Sequence, residues 1–276
     1  MSTPDAIARF RALHERRKAF VIPNPWDIGS ARLLADIGFE ALATTSAGYA
    51  WSVGKPDGAV SRDQMLEHCA QLAGATPLPV NADLENCYAH DPDGVAQTIR
   101  LAAATGVAGA SIEDASGDPA KPIYDFDHAV ERVRAGVEAN RAQPTPMLIC
   151  ARAENFLNGR KDLADTIRRL QAFEAAGADV LYAPGLATLD DIRAVVAAVN
   201  RPVNVLMSSF NPNLTLAELE AAGARRISVG GALARAAYGE LLRAAQDIRD
   251  NGSFTYVKSA PPSGKLNDAF ASWEKG

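Results

Sequence analysis

The run Leu78-Pro79-Val80-Asn81-Ala82-Asp83-Leu84-Glu85 carries an amide and two carboxylates at every second position. In an extended strand, alternate residues share one face, so Asn81, Asp83 and Glu85 point to the same side. The run Ala110-Ser111-Ile112-Glu113-Asp114 pairs Ser111 with Glu113 in the same way. Neighbouring strands lie ~4.8 Å apart. Carboxylates brought that close repel unless they are protonated or bridged by a cation. An all-oxygen donor set that keeps some water suits Mg²⁺ or Mn²⁺. The expectation is a divalent-metal site on Asp83 and Glu113, as opposed to helix caps or ordinary ion pairs. A third run, Ile149-Cys150-Ala151-Arg152-Ala153-Glu154, presents an arginine with the parity of Cys150. Its planar fork fits a carboxylate or phosphonate, or it pairs with Glu154 or Glu113. Cys150 reads as a small buried filler.

Weaker signals surround these runs. Small residues in Thr44-Thr45-Ser46-Ala47-Gly48-Tyr49 allow a ligand to approach backbone amides, or form an ordinary turn. Ser228-Val229-Gly230-Gly231 opens a helix, where its amides bind an anion or its glycines permit close packing. The segment Ala115–Ile123 holds Gly117, Pro119, Pro122 and the lone cation Lys121, a lid or a plain loop. His14, His68 and His128 fall in helical patterns and read as surface residues; only His90 follows a site strand. No zinc spacing, catalytic triad grouping, Walker motif or dinucleotide motif is present.

These residues must be positioned by a repeating unit. Apolar runs fall at Phe20–Ile22, Ala41–Thr45, Leu78–Asp83, Ala108–Glu113, Met147–Arg152, Val180–Ala183, Val203–Leu206 and Arg226–Val229. Helical patterns lie between and after them, near Asp27–Asp36, Arg62–Ala73, Pro92–Ala104, Asp125–Asn140, Leu163–Ala176, Leu189–Val199, Leu216–Ala222 and Ala232–Asp250. Asp27 and Asp93 are candidate N-caps. Gly38, Gly106, Gly177 and Gly223 are candidate stops. Strand–helix repeats require parallel pairing, and eight of them predict a (β/α)₈ barrel with its site at the C-terminal strand ends. The open doubly wound alternative expects a glycine-rich first turn, where this chain has Pro23-Asn24-Pro25-Trp26-Asp27. The barrel is expected over residues 1–250. Residues 251–276 form a connector and a helical tail, in which Leu266, Phe270 and Trp273 share an apolar face. Such a short helix needs a surface to dock on, its own barrel or a neighbouring subunit.

Composition limits the remaining choices. The 276 residues are 47% hydrophobic and 22% charged, with a net charge of −5. That is globular, and it lacks the basic footprint of a nucleic-acid-binding domain. Three cysteines without paired spacing fit a reducing compartment. No apolar signal core or membrane-length run is seen, so a cytoplasmic protein is expected.

Taken as a set, several motifs resemble the isocitrate lyase and phosphoenolpyruvate mutase superfamily. They are Asn24-Pro25-Trp26-Asp27, Thr45-Ser46-Ala47-Gly48, Asn81-Ala82-Asp83, Gly109-Ala110-Ser111-Ile112-Glu113-Asp114, Ala151-Arg152-Ala153-Glu154 and Ser228-Val229-Gly230-Gly231. The resemblance runs from about Pro23 to about Glu240. It implies a (β/α)₈ barrel whose final helix is exchanged between subunits of a dimer or tetramer. It also implies Mg²⁺ or Mn²⁺ held largely through water by Asp83, Glu113 and Asp57. Asn81 and Asp83 match the family's Asp-x-Asp, with Asn81 lacking the first charge. Glu85 stands where the family often has Gly and is expected to replace that charge. The match gives Ser46, Ala47 and Gly48 the role of receiving a substrate carboxylate. Arg152 neutralises the substrate and its enolate, and Asn204 is a polar residue on the seventh strand. Ala115–Ile123 lacks the acid Cys of the isocitrate and methylisocitrate lyases, and Ala183-Pro184-Gly185 lacks their Glu. Both departures argue against a tricarboxylate. The implied activity is a metal-dependent carbon–carbon lyase acting on a small 2-oxo or 2-hydroxy acid, such as an oxaloacetate decarboxylase. Phosphonopyruvate chemistry, as mutase or hydrolase, is the alternative, and a silent carboxylate-binding barrel is the reading from another class.

Overall fold

A computed structural model describes residues 3–275. Its strands are β1 Phe20–Ile22, β2 Leu42–Ala43, β3 Val80–Ala82, β4 Gly109–Glu113, β5 Leu148–Arg152, β6 Val180–Tyr182, β7 Val203–Leu206 and β8 Arg226–Ser228. The helices begin with α1 Thr3–Glu15, α2 Ile28–Ile37, α3 Ser46–Ser52, α4 Arg62–Ala75, α5 Pro92–Ala103 and α6 Phe126–Arg141. They continue with α7 Leu163–Ala176, α8 Leu189–Ala198, α9 Leu216–Ala221, α10 Ala232–Asn251 and α11 Ser263–Ala271. All strand pairs are parallel, in the order β1-β8-β7-β6-β5-β4-β3-β2. At the β1–β2 seam, Ala43 N donates to Pro23 O at 3.0 Å and Asn24 Nδ2 to Thr44 O at 2.9 Å. The chain is a (β/α)₈ barrel, as the alternation predicts.

The strands are short because the barrel core needs only a few apolar positions from each. Val80, Ala110, Ile112, Ile149, Ala151, Val180 and Leu181 are at most 1% exposed. Gly38 and Gly177 end their helices in the left-handed conformation, at φ 102° and 104°. The N-cap of α5 is Asp91, which accepts from Gly94 N, while Asp93 lies inside the first turn. Position 91 precedes Pro at N1, the arrangement a capping aspartate favours.

Two helices escape the sequence pattern. The helix α1 closes the N-terminal end of the barrel. Its Phe10 and His14 rings pack edge-to-face at 4.6 Å, and His14 meets Phe20 in the same way at 5.0 Å. A Cβ on Gly109 would come within 2.8 Å of both Phe10 and Asn81, so only glycine fits there. The segment read as a small-residue turn is α3, capped by Thr45 Oγ1 accepting from Gly48 N. His14 and His68 are buried, not surface residues. Burial, followed by the nearby Arg226 charge, holds His14 down to about 3. Burial likewise holds His68 down to about 4. Both imidazoles are therefore neutral core groups.

Beyond the barrel, α10 runs for 20 residues with Ala234 as its one buried side chain. Leu241 and Leu242 are 61% and 59% exposed. In this single chain α11 lies against α2: Phe270 sits over Gly29, Trp273 Nε1 donates to Asp36 at 3.3 Å, and Arg32 stacks 5.7 Å from the Trp273 ring. Among the described residues, no helix is long and apolar enough to cross a membrane.

Candidate active site

The C-terminal mouth of the barrel is organised around Arg152. Its Nε donates to Glu154 at 2.7 Å, one terminal nitrogen to Asp83 at 2.8 Å, and the other lies 3.1 Å from Glu113. The guanidinium also sits 5.0 Å from the Tyr182 ring centre. Register explains the convergence. Glu113 of β4 pairs with Arg152 of β5, which pairs with Tyr182 of β6. Parity then turns all three side chains inward. The ion-pair alternative for Arg152 is thus realised with both Glu113 and Glu154, and with Asp83 as well.

Asp83 is held from the other side. Ser46 donates to it through both N and Oγ at 3.1 Å, and Asp83 N donates to Thr44 Oγ1 at 2.7 Å. Ser46 is the first residue of α3, so the helix start aims its amide at the carboxylate. Ser46, Ala47, Asp57, Asn81, Asp83, Arg152 and Asn204 all line one cavity of about 200 Å³. Asp57, Glu85, Glu113, Arg152 and Glu154 line a second cavity beside it. Gly48 is buried outside these walls: its amide bonds Thr45, and a Cβ there would strike Thr45. Asn81 does not join the carboxylates. It lies lower, accepting from Arg226 at 3.3 Å.

Five carboxylates therefore face one guanidinium, with the electrostatic consequences expected of a crowded, half-buried acid cluster. Burial and the charges of Asp83 and Asp57 push Glu85 up to about 7. Burial raises Glu113 and Glu154 against the opposing pull of Arg152. Asp57 is raised by burial and by Asp83. The surplus negative charge and the all-oxygen donors fit a divalent cation. Among the described residues, no three acidic, His or Cys side chains converge as a ready-made ligand set. The fit is therefore to an ion held partly through water.

The shell behind the acids is built from buried arginines. Arg132 donates to the carbonyls of Glu113, Asn86 and Ala89. This ties down a loop in which Glu85, Cys87 and Tyr88 have φ of 51°, 62° and 55°, a backbone that L-residues adopt only at a cost. The left-handed Glu85 is the position where the resembled family often has Gly. Arg169 bonds Asp114 and Asp165 at 2.9 Å, and Asp114 in turn accepts from Glu154 N at 2.7 Å.

Other candidates resolve differently. The amides of Val229 and Gly230 both donate to Asn24 Oδ1 at 2.9 Å, so that nest serves the fold. Lys121 is paired with Asp125. Ala115 and Ile123 form an antiparallel bridge, which closes their loop on itself. His90 bonds the Tyr124 hydroxyl at 2.7 Å. Cys150 is buried, as expected of a filler, but accepts from Arg226 at 2.9 Å. Sequence reasoning passed over Tyr182, Ser228 and Arg226 as site residues. A polar parity within apolar runs, Arg226 with Ser228, is the signal that marks them.

A (β/α)₈ barrel with a carboxylate–arginine cluster at its C-terminal mouth has the layout of a barrel enzyme, whose site lies where the strands end. The chain belongs to the phosphoenolpyruvate phosphomutase family, whose model matches residues 10–249, and so to the phosphoenolpyruvate mutase and isocitrate lyase superfamily. Its backbone is similar to the crystal structure of a Burkholderia cenocepacia J2315 protein provisionally described as a lyase/mutase. The TM-score is 0.95 at 56% identity, covering 98% of this chain and 96% of the other. The 2-methylisocitrate lyase of Shewanella oneidensis is 30% identical, covering 91% of this chain and 87% of its own. The oxaloacetate decarboxylase of Chromohalobacter salexigens is also 30% identical, covering 90% and 86%.

Proposed function

We propose that the protein is a divalent-metal-dependent lyase that cleaves a carbon–carbon bond next to the carbonyl of a small 2-oxo acid, as an oxaloacetate decarboxylase does. The observation that carries this reading is Arg152, held in a cluster of carboxylates at the barrel mouth. Mg²⁺ or Mn²⁺, when bound near Asp83 with Glu113, Glu85 and Asp57 in support, supplies Lewis-acid stabilisation of developing negative charge. Arg152 adds a fixed cation at the same place. A substrate carboxylate entering the site takes over part of its fork from the acids. Ser46 and Ala47 line the wall on which that carboxylate rests, and Asn204 orients it from β7. The absence of an acid Cys in Ala115–Ile123 favours a substrate smaller than a tricarboxylate.

The test is a screen of 2-oxo diacids, 2-hydroxy diacids and phosphonopyruvate with Mg²⁺ or Mn²⁺, products read by NMR. Metal-dependent cleavage of a 2-oxo diacid is the expected result. Turnover of phosphonopyruvate alone would replace the reading with carbon–phosphorus chemistry. No turnover of any acid, with carboxylates still bound, would make the chain a binding barrel. We further infer that the working unit is a homo-oligomer in which a second copy covers the exposed side of α10, including Leu241 and Leu242.

A further inference from the structure

Below the acid cluster the barrel buries a cation that has no anionic partner among the described residues. Arg226 is 3% exposed. Its Nε donates to Asn204 Oδ1 at 2.9 Å, and its terminal nitrogens donate to Asn81 Oδ1 at 3.3 Å and Cys150 Sγ at 2.9 Å. All three acceptors are neutral, because burial raises the Cys150 thiol and keeps its proton on. Among the described residues no carboxylate forms an ion pair with Arg226, whereas Arg152 and Arg169 each pair with at least two. Arg132 also lacks a carboxylate, but it is spent on three backbone carbonyls. Arg226 instead lines the cavity beneath Arg152. A guanidinium has five N–H bonds, and the three contacts above leave others undirected. Burying such a charge without a counter-ion is costly, and the cavity it faces is where a counter-ion can arrive.

We propose that Arg226, with Asn204 and Ser228 beside it, forms a second anion site that receives the distal carboxylate of a four- or five-carbon dicarboxylate. This rests on the carboxylate-substrate reading above and makes Arg226 the residue that selects diacids. The spacing supports it. Of the residues Arg226 touches, Cys150 lies two residues below Arg152 on β5, and Asn81 of β3 lies two residues before Asp83, which follows the end of that strand. Two residues of strand span about 6.6 Å. A diacid with a hydrogen bond at each end bridges that gap, while a monoacid reaches only one of the two cations. Ser228 Oγ accepts from Asn204 Nδ2 at 2.9 Å and hydrogen-bonds the Tyr182 hydroxyl, which fixes Asn204 and Ser228 at the wall of this lower site.

The test compares racemic malate with racemic lactate, which differ by the distal carboxylate, by calorimetric titration with Mg²⁺ present. The unaltered protein should bind malate at least tenfold more tightly. Arg226→Met should weaken malate by about 10- to 100-fold, the range for a hydrogen bond to a charged group, and leave lactate within threefold. Arg226→Gln removes the charge but keeps a donor for Asn204; it should behave in the same way and serves if the Met variant does not fold. A folded neutral variant that keeps the original malate-to-lactate ratio would overturn the inference and leave Arg226 a structural filler. If the unaltered protein binds both acids equally, the second site falls while the upper site stands. If it binds neither, the carboxylate reading itself falls, and this inference with it.

Discussion

Replacing Arg152 by Met removes the one cation among five carboxylates, and the cost can be worked from its contacts. Three charge-assisted contacts at 2.7, 2.8 and 3.1 Å disappear. At roughly 1.5–3 kcal/mol each they sum to about 4.5–9 kcal/mol gross. Part is returned, because a guanidinium only 14% exposed no longer has to be desolvated. The net loss for breaking one side of a buried pair is about 3–5 kcal/mol, or ~6–10 °C in Tm at roughly 2 °C per kcal/mol for a chain of this length. The sign of the pH dependence follows from linkage. Glu113, Glu154 and Glu85 already titrate above their unfolded values, and losing Arg152 raises them further. A raised acid binds its proton more tightly when folded, so the folded state is favoured at low pH. That advantage is lost as pH rises through the folded value. The Met variant should therefore lie ~6–10 °C below the unaltered protein at pH 8, and the gap should shrink by at least half at pH 5.5. Comparing the two proteins at each pH cancels the opposite contributions of the neutral His14 and His68. Differential scanning calorimetry in EDTA is the assay. A gap of equal size at both pH values would refute the claim that Arg152 balances ionised acids. Arg152→Lys keeps the charge without the fork and should lower kcat/KM by about ten- to a thousandfold on whichever substrate the NMR screen identifies.

Other expectations are simpler. Glu85→Gln should raise Tm at pH 8 relative to the unaltered protein and change it little at pH 5.5, because burial and neighbouring acids hold Glu85 near 7. Equal Tm values at pH 8 would show that its ionisation costs nothing. Mn²⁺ soaked into crystals should give an anomalous peak beside Asp83; a peak elsewhere, with an empty mouth, would remove the metal assignment. Arg169→Met strips Asp114 and Asp165 of a shared partner and should cost about 3–5 kcal/mol in denaturant unfolding; a loss below 1 kcal/mol would show that this network is not structural. Deleting residues 264–276 should lower the sedimenting mass at low micromolar concentration, and an unchanged mass would mean that the tail does not hold the oligomer.

Hydrophobic patterning, with a first turn that lacks the glycine-rich fingerprint of an open sheet, determined the barrel. Eight apolar runs alternate with amphipathic ones, and their order leaves few topologies. Strand limits came within a few residues because apolar runs and glycine stops are local signals. Parity on Leu78–Glu85 and Gly109–Asp114 also put Asp83 and Glu113 on one side without any partner being known. Parity cannot say how deep a residue sits, and Asn81 shows the difference. It shares a face with Asp83 but lies one inward position lower, bonded to Arg226 rather than to the acid cluster. The amides of Val229 and Gly230 look like an anion nest in sequence, and only the fold brings Asn24, some 200 residues away, to fill it. His14 and His68 read as surface residues because helical periodicity does not reveal what the other end of the barrel presents. Parity with Ser228 puts Arg226 on the inward face, but its role stays hidden in the sequence for the same reason. A cation's role depends on which charges surround it, and those charges arrive from strands far apart in the chain, brought together only when the barrel closes.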